Sequence, residues 1–143
     1  MRLAVVSRLL GQDFDRLVSG IGITRSQWTM VAVVSRREGA TQREIAKMLD
    51  MSEASAGRLV DRLCDEGLLE RRPHASDRRA HLVYTTAKAE PLLQQLADIA
   101  QANEGRVFRN FSPDELEAFH ALLDKLYGNL GGLQAHLVHS GSD

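Results

Sequence analysis

The stretch from residue 41 to residue 85 carries a strict order of local signals, and that order limits the folds open to the chain. Thr41 forms a capping-box pattern with Glu44, in which a hydroxyl and a carboxylate satisfy the free backbone N–H groups at a helix start. Residues 50–51 supply a turn, and Ser52 is a favoured N-cap for the next helix. The stretch is therefore predicted to open with two helices joined tightly.

Beyond Gly67, which ends the second helix, the pattern changes to short segments of β-forming residues. These segments are 68–72 and 81–85, joined by an arginine-rich hairpin tip. Helix, turn, helix and hairpin in this order are typical of a winged helix-turn-helix, a module that reads duplex DNA. The sequence therefore predicts a mainly α fold with a small β-hairpin wing, with the helix-turn-helix at about 40–63 and the wing at about 68–85.

An earlier helix begins with another capping box, formed by Thr24 and Gln27. The residues behind it, 28–34, are apolar nearly all round the helix. A helix that is apolar on every side is usually buried. We therefore expect this helix to lie at the centre of the core.

Length and composition indicate one domain, predicted to span 1–143. The chain has 143 residues, of which 43% are hydrophobic. No apolar run approaches the ~18 residues that a membrane span needs, and no signal-peptide pattern follows Met1. The one cysteine excludes an internal disulfide framework. We therefore expect a cytoplasmic, nucleoid-associated protein with no membrane partner.

The charge of the chain is uneven along its length. The net charge of −1 gives no overall basic signature, so an argument for nucleic-acid binding must be local. Residues 71–81 hold four arginines and one acid, a local net charge of +3, whereas residues 98–143 reach −4. The basic segment coincides with the predicted hairpin tip, where it would favour contact with phosphates.

The first helix and the last two carry apolar stripes beyond what a reading module needs. In the first, apolar residues recur three or four positions apart, at Leu3, Val6, Leu10, Phe14 and Leu17. Thr86 is predicted to cap the next-to-last helix, and Ser112 forms a capping box with Glu115 at the last. We predict dimerisation helices at about 1–19 and 87–138, which would pair two copies as a homodimer. The alternative is that these stripes pack within one chain.

These residues resemble MarR-type transcription regulators over essentially the whole chain. The segments Ala75-Ser-Asp-Arg-Arg-Ala80 and Lys88-Ala-Glu-Pro-Leu92 look like the SlyA branch, and the Asp-x-Arg signature of the family's wing falls on Asp77 and Arg79. The segment 85–89 departs from the Leu-Thr-x-x-Gly common in the family. The resemblance implies a repressor, not an enzyme, that binds a pseudo-palindromic operator in double-stranded DNA as a homodimer.

Arginine chemistry assigns the predicted DNA contacts. Arg58 can direct two donors to guanine in the major groove, and Arg79 suits a narrow minor groove, with Asp77 orienting it through a charge-assisted hydrogen bond. The others are candidates for base edges and phosphates near these two. The full set is Thr41, Gln42, Arg43, Ser52, Ala54, Ser55, Arg58, Arg62, Arg71, Arg72, Asp77, Arg78 and Arg79.

Three other residues limit how the second helix could approach DNA. Asp61 and Asp65 follow Arg58 on the same side and would repel phosphates, so we expect only the first two turns to enter the major groove. Gly57 costs about 1 kcal/mol against alanine in a helix. Either it permits close approach of the backbone to DNA, or it reflects drift.

The resemblance also suggests an effector site, because family members often respond to small phenolic or carboxylate compounds. The matching positions are Arg8, Thr24 and Trp28: the arginine could pair a carboxylate and the indole could pack an aromatic ring. The alternative is that Trp28 belongs to the core and Arg8 to the surface.

The sequence gives weaker support to other functions. Cys64 could make a redox-responsive regulator, but its acidic neighbours slow thiol oxidation and favour a structural role. His136 and His139 are three residues apart without a cysteine or clear carboxylate partner, so no metal or cofactor is expected. No nucleophile elbow or phosphate-binding loop indicates an enzyme. A winged helix used only for protein contacts would not need arginines in both helix and wing.

Overall fold

A computed structural model describes residues 1–130 of the chain. Within that range the fold has six α-helices and a three-stranded antiparallel sheet, and it contains the predicted helix-turn-helix and hairpin wing. The elements are α1 (Arg2–Ser19), α2 (Arg25–Arg36), β1 (Ala40–Thr41), α3 (Gln42–Met48), α4 (Glu53–Asp65), β2 (Leu69–Pro73), β3 (His81–Thr85), a 3₁₀ turn (Ala87–Ala89), α5 (Glu90–Val107) and α6 (Pro113–Asn129). None of the described helices is both long and apolar enough to cross a membrane.

The three predicted capping boxes all form. In each, the N-cap hydroxyl accepts a hydrogen bond from the backbone N–H three residues on, and the side chain there accepts from the N-cap backbone; the pairs are Thr24–Gln27, Thr41–Glu44 and Ser112–Glu115. The Ser52 hydroxyl caps α4 by accepting from the Ser55 N–H. These local bonds fix where α2, α3, α4 and α6 begin.

The core lies around α2, as the all-round apolar pattern predicts. Met30, Val31 and Val34 of this helix are completely buried. The same cluster includes buried side chains from α3, α4, β2 and β3, namely Ile45, Ala46, Ala56, Val60, Leu63, Leu69 and Val83. The helix-turn-helix and the wing therefore share one apolar core, which packs the wing against the helices.

The sheet contains a strand that the sequence did not predict. β1 pairs with β3, so the strand order is β1-β3-β2. β1 has two residues, too few for apolar and polar positions to alternate. Gly39 before it has a φ of +80°, and a Cβ there would lie 2.8 Å from the Tyr84 Oη. Both the backbone conformation and the packing of Tyr84 therefore favour glycine.

Thr86 does not cap a helix through its side chain, contrary to the prediction. Its hydroxyl donates to the Gly67 carbonyl at 2.5 Å, which ties the end of the wing to the end of α4. A 3₁₀ turn follows, and α5 begins only at Glu90. The Thr86 hydroxyl thus has a tertiary partner, which its sequence neighbours do not indicate.

The chain divides into two compact units, one of residues 1–100 and one that begins at Gln101. In the second unit, the rings of Phe108, Phe111 and Phe119 pack with centroids 5.3 to 6.5 Å apart. Residues 131–138 of the predicted last helix, with Leu133 and Leu137, lie outside the described residues.

Candidate nucleic-acid interface

The start of α4 presents a short polar chain on its exposed side. The Ser52 hydroxyl donates to the Ser55 hydroxyl at 2.9 Å, and the Arg58 Nη2 donates to the same Ser55 oxygen at 3.2 Å. Ala54 and Arg58 are exposed. The first two turns of α4 therefore offer one arginine fork among small side chains, as major-groove reading requires.

A groove of about 370 Å³ joins the start of α3 to the wing. Its lining brings three predicted α3 residues together with the predicted wing arginine: it consists of Thr41, Gln42, Arg43, Glu53, Arg79, Ala80 and His81. Glu53 is an acid that the sequence did not single out, and it lies 3.7 Å from the Arg43 guanidinium. The two basic elements, far apart in sequence, thus line one concave surface.

The wing tip is shaped by Asp77, but not through the contact that the sequence predicts. Its carboxylate accepts a hydrogen bond from the backbone N–H of Arg79 at 2.9 Å, rather than from the guanidinium. Its carbonyl accepts from the Ala80 N–H at 3.2 Å. Asp77 therefore closes a local turn. In the described part of the chain, no carboxylate lies within ion-pair distance of the Arg78 or Arg79 guanidinium.

Two other predicted arginines have carboxylate partners at the surface. Arg62 donates to Glu66 at 3.1 Å, one helical turn further along α4. Arg72 donates to Glu70 at 2.7 Å and stacks over the Tyr84 ring at 4.1 Å. Exposed pairs contribute only about 0–1 kcal/mol, so both arginines could exchange these partners for phosphates at little cost.

Arg71 differs from the other predicted contact arginines because most of its side chain is covered by the protein. It donates to Asp61 at 2.5 Å and to the Gln42 Oε1 at 3.2 Å. Only 26% of the side chain is exposed. Two predicted DNA contacts, Arg71 and Gln42, are therefore bound to each other, and Asp61 has a cationic partner.

Gly57 has a packing reason that the sequence could not show. The residue is buried, and a Cβ there would lie 2.8 Å from the Gln42 Nε2. That nitrogen donates to the Glu53 carbonyl at 3.2 Å. The glycine thus leaves room for Gln42 between α3 and α4, a packing role that neither sequence-based explanation, close approach to DNA or drift, includes.

A cavity of about 280 Å³ lies among α1, α2 and the first part of α5. Its wall is mainly apolar with one arginine, and consists of Phe14, Trp28, Ala32, Ser35, Arg36, Leu93, Leu96, Ala97 and Ala100. Of the three residues predicted for an effector site, only Trp28 lines it. Arg8 donates to Gln12 at the surface of α1, and Thr24 is occupied by its capping box.

Trp28 of α2 packs against α1 and is partly exposed, rather than buried in the core. Its indole N–H donates to Asp15 at 3.3 Å, and its ring packs edge-on against Phe14 with centroids 4.9 Å apart. Arg25 also binds Asp15, and this hydrogen bond is the main reason that the pKa of the carboxyl lies below its usual value. The indole is thus fixed with one side facing the cavity.

Cys64 lies half-buried on α4. Burial is the main cause that raises the pKa of its thiol, which the Arg71 charge partly offsets. At a given pH the thiolate fraction is therefore smaller than in a free cysteine, and oxidation is slower.

Both α1 and α6 leave large apolar side chains exposed. On α1 these are Leu3, Val5, Val6, Leu9, Leu10 and Leu17, and on α6 and its C-cap they are Leu122, Leu123, Leu126 and Leu130. Leu122 and Leu130 are 66% and 72% exposed. A soluble protein rarely leaves such contiguous stripes in water unless a partner covers them.

Comparison with known proteins matches the profile of the MarR family to residues 21–80. The transcriptional regulator PA3341 is 30% identical, the match covers 91% of this chain and 96% of that one, and the TM-score is 0.80. A MarR variant from E. coli in complex with operator DNA is 26% identical over 88% of this chain and 94% of that one, with a TM-score of 0.71.

The SlyA regulator superposes with a TM-score of 0.76 at 20% identity, covering 90% of this chain and 91% of that one. At that identity the likeness concerns the fold alone. The predicted membership of the SlyA branch therefore stays a prediction.

Proposed function

Because the chain belongs to the MarR family of transcription regulators, we propose that it represses transcription by binding a pseudo-palindromic operator as a homodimer. The observation that carries this proposal is the shared concave surface of the α3 start, the α4 start and the wing tip. Arg43 and Arg79 line this surface, and Arg58 of α4 and Arg78 of the wing tip are exposed as well. The operator-bound E. coli relative supports duplex DNA as the partner.

In this proposal the first two turns of α4 enter the major groove. Arg58 exchanges its bond with Ser55 for guanine O6 and N7, while Ala54 and Ser52 allow close contact with the bases. Arg79 enters the adjacent minor groove, where narrow A·T-rich DNA attracts a guanidinium. Arg43, Arg62, Arg72 and Arg78 reach phosphates, which position the protein without reading sequence.

The apolar faces of α1 and α6 are the surfaces through which we expect two copies to pair. A homodimer would present two α4 helices about one DNA turn (~34 Å) apart, matching the half-sites of a palindrome. Binding across a promoter would then exclude polymerase. As its partner is chromosomal DNA, we place the protein in the cytoplasm at the nucleoid.

Selection of bound sequences from a random DNA pool tests this function directly. We expect an enriched palindrome with half-sites about one DNA turn apart. The logarithm of the binding constant should fall linearly with the logarithm of the salt concentration, with a slope of roughly 0.9 per phosphate contacted. A protein-interaction module of the same fold would enrich no sequence. That result would reject the proposed function.

Replacing Arg79 with alanine tests the wing contact. We expect the largest loss of affinity, about 1–3 kcal/mol per half-site, on operators with A·T-rich flanks, since a narrow minor groove strengthens this contact. Arg78→Ala is the matched control and should weaken binding equally on A·T-rich and G·C-rich flanks. Competition gel shifts measure both; equal losses for Arg79→Ala on the two flanks would contradict the minor-groove assignment.

We further propose that the cavity beside Trp28 takes a small aromatic carboxylate whose binding releases DNA. Its mainly apolar wall suits an aromatic ring, the indole provides a stacking surface, and Arg36 supplies a cation at its edge. A redox alternative through Cys64 is less favoured, because the raised pKa of this thiol slows oxidation.

Isothermal titration with salicylate tests the effector site. We expect measurable heat with the unaltered protein and at least about tenfold weaker binding for Trp28→Ala, because the stacking surface is lost. Arg8→Ala should bind salicylate as the unaltered protein does, since Arg8 lies outside the cavity. Heat lost in Arg8→Ala and kept in Trp28→Ala would place the ligand elsewhere.

A further inference from the structure

Arg71 joins the wing to both helices of the helix-turn-helix through one planar side chain. The residue is in β2, its Nη1 donates to Asp61 of α4, and its Nη2 donates to Gln42 of α3. The same Nη2 lies 3.5 Å from the Gly57 carbonyl. A guanidinium that uses both terminal nitrogens within the protein has a fixed orientation.

Gln42 extends this connection to the beginning of α4. While its Oε1 accepts from Arg71, its Nε2 donates to the Glu53 carbonyl at 3.2 Å. Both ends of the amide are therefore used within the protein. Gly57 leaves the space that the amide needs, since an added Cβ would approach its nitrogen to 2.8 Å.

Asp61 is the acid whose role this arrangement changes. It lies on the exposed side of α4, one turn beyond Arg58, where an unpaired carboxylate would repel the phosphates of bound DNA. Its ion pair with Arg71 compensates that charge, and the carboxylate holds the Arg71 guanidinium in place. Asp65, a turn further on and also exposed, has no ion-pair partner among residues 1–130.

We propose that Arg71 is a positioning residue for DNA reading. With Asp61 and Gln42 it forms a clamp that fixes the angle between the wing and α4, the helix that enters the major groove. This inference rests on the proposed DNA-binding function. The clamp lets Arg58 reach the major groove while Arg79 reaches the minor groove on the same half-site. Loss of the clamp lowers the affinity for the operator more than for random DNA, because random DNA needs no fixed angle between the two contacts.

The direction in which one substitution changes operator affinity separates this role from simple electrostatics. Asp61→Asn removes a negative charge near DNA, which alone would strengthen binding. The clamp predicts the opposite, a loss of operator affinity of about five- to tenfold with a smaller change on random DNA. Asp65→Asn is the matched control and should bind operator as well as the unaltered protein or slightly better. Stronger operator binding by Asp61→Asn would overturn the proposal.

Salt dependence separates positioning from phosphate contact. Arg71→Met should lower operator affinity without changing the slope of log affinity against log salt, whereas Arg78→Met should reduce that slope by about one. Arg71→Lys should not restore affinity, because a lysine lacks the fork that reaches both Asp61 and Gln42. A slope reduced in Arg71→Met as in Arg78→Met would make Arg71 a phosphate contact and overturn the clamp.

Gly57→Ala tests the clamp without touching a charge. Alanine favours the helix, so the folded state should be at least as resistant to urea as before unless the clamp contributes strongly to stability. The displaced amide of Gln42 should nevertheless lower operator affinity, again by about five- to tenfold. Unchanged affinity with the added methyl group would contradict the proposal even if Arg71→Met fails to fold.

Failure of the clamp can be told from failure of the DNA-binding function. If the unaltered protein selects no operator, the DNA-binding function itself fails. If the unaltered protein selects an operator and these variants bind it equally well, only the clamp fails.

Discussion

A chain carrying both Leu122→Glu and Leu126→Glu is expected to be monomeric and to bind operator at least about 100-fold more weakly than the unaltered protein. Both leucines are exposed on α6 in the single chain. Symmetry would bring four new carboxylates into one interface, and buried unpaired charges are costly enough to prevent assembly. A monomer then loses the second half-site contact, which linkage makes worth a factor of roughly 10² to 10⁴. Size-exclusion chromatography with light scattering gives the mass, and gel shifts give the affinity.

Ala121→Glu provides the control on the same helix. At 100° per residue, position 121 lies about 100° from Leu122 and about 140° from Leu126 around α6, outside the stripe of these two leucines, and it is exposed. This variant should keep the mass and affinity of the unaltered protein. A double-leucine variant that is helical by circular dichroism yet still dimeric would place the dimer contact away from α6. A monomer in the unaltered protein would instead favour packing of the stripes within one chain.

Features that depend on a few neighbouring residues were predictable from the sequence. The capping boxes at Thr24, Thr41 and Ser112 need only a hydroxyl and an acid or amide three positions later, and all three form. The buried α2 follows from an apolar run, and the wing strands fall within one residue of their predicted bounds. Arg58 also lies on the predicted exposed side of α4, since helical geometry alone fixes that side.

Features that depend on partners distant in sequence were not predictable in this way. The sequence treats Arg71 as one more cation in a basic hairpin, and only the fold brings it to Asp61 and Gln42, 10 and 29 positions away. Thr86 was misinterpreted and the packing of Gly57 was missed for the same reason, because their partners Gly67 and Gln42 lie elsewhere in the chain. The residues predicted for an effector site also lie apart: of Arg8, Thr24 and Trp28, only Trp28 lines the cavity between α1, α2 and α5.

Positions 58 and 71 illustrate how arginines in one basic surface can have separate tasks. Arg58 is exposed and, among residues 1–130, is bound only to the Ser55 hydroxyl, a partner that it can exchange for a base. Arg71 is largely covered and bound to a carboxylate and an amide, partners that it would lose at greater cost. Substitution of either should weaken operator binding. Only substitution of Arg58 should change which base pairs are selected.

Arg58→Ala is expected to lower operator affinity by about 2–6 kcal/mol, because a bidentate guanine contact is worth about 1–3 kcal/mol and a homodimer would lose two of them. Selection from a random DNA pool should show preference lost at one base pair of each half-site, with the rest of the palindrome kept. Affinity for random DNA should fall much less, since one charge per subunit contributes little there.

Arg58→Lys separates the shape of the side chain from its charge. A lysine keeps the positive charge but offers a point donor instead of a planar fork, so we expect random DNA to be bound as before and the guanine preference to be reduced. Both variants should fold normally, since the side chain is exposed and alanine and lysine favour helices. Selected sequences identical to those of the unaltered protein in both variants would show that Arg58 does not read a base, and the reading contact would then have to come from Ser52, Ser55 or the wing.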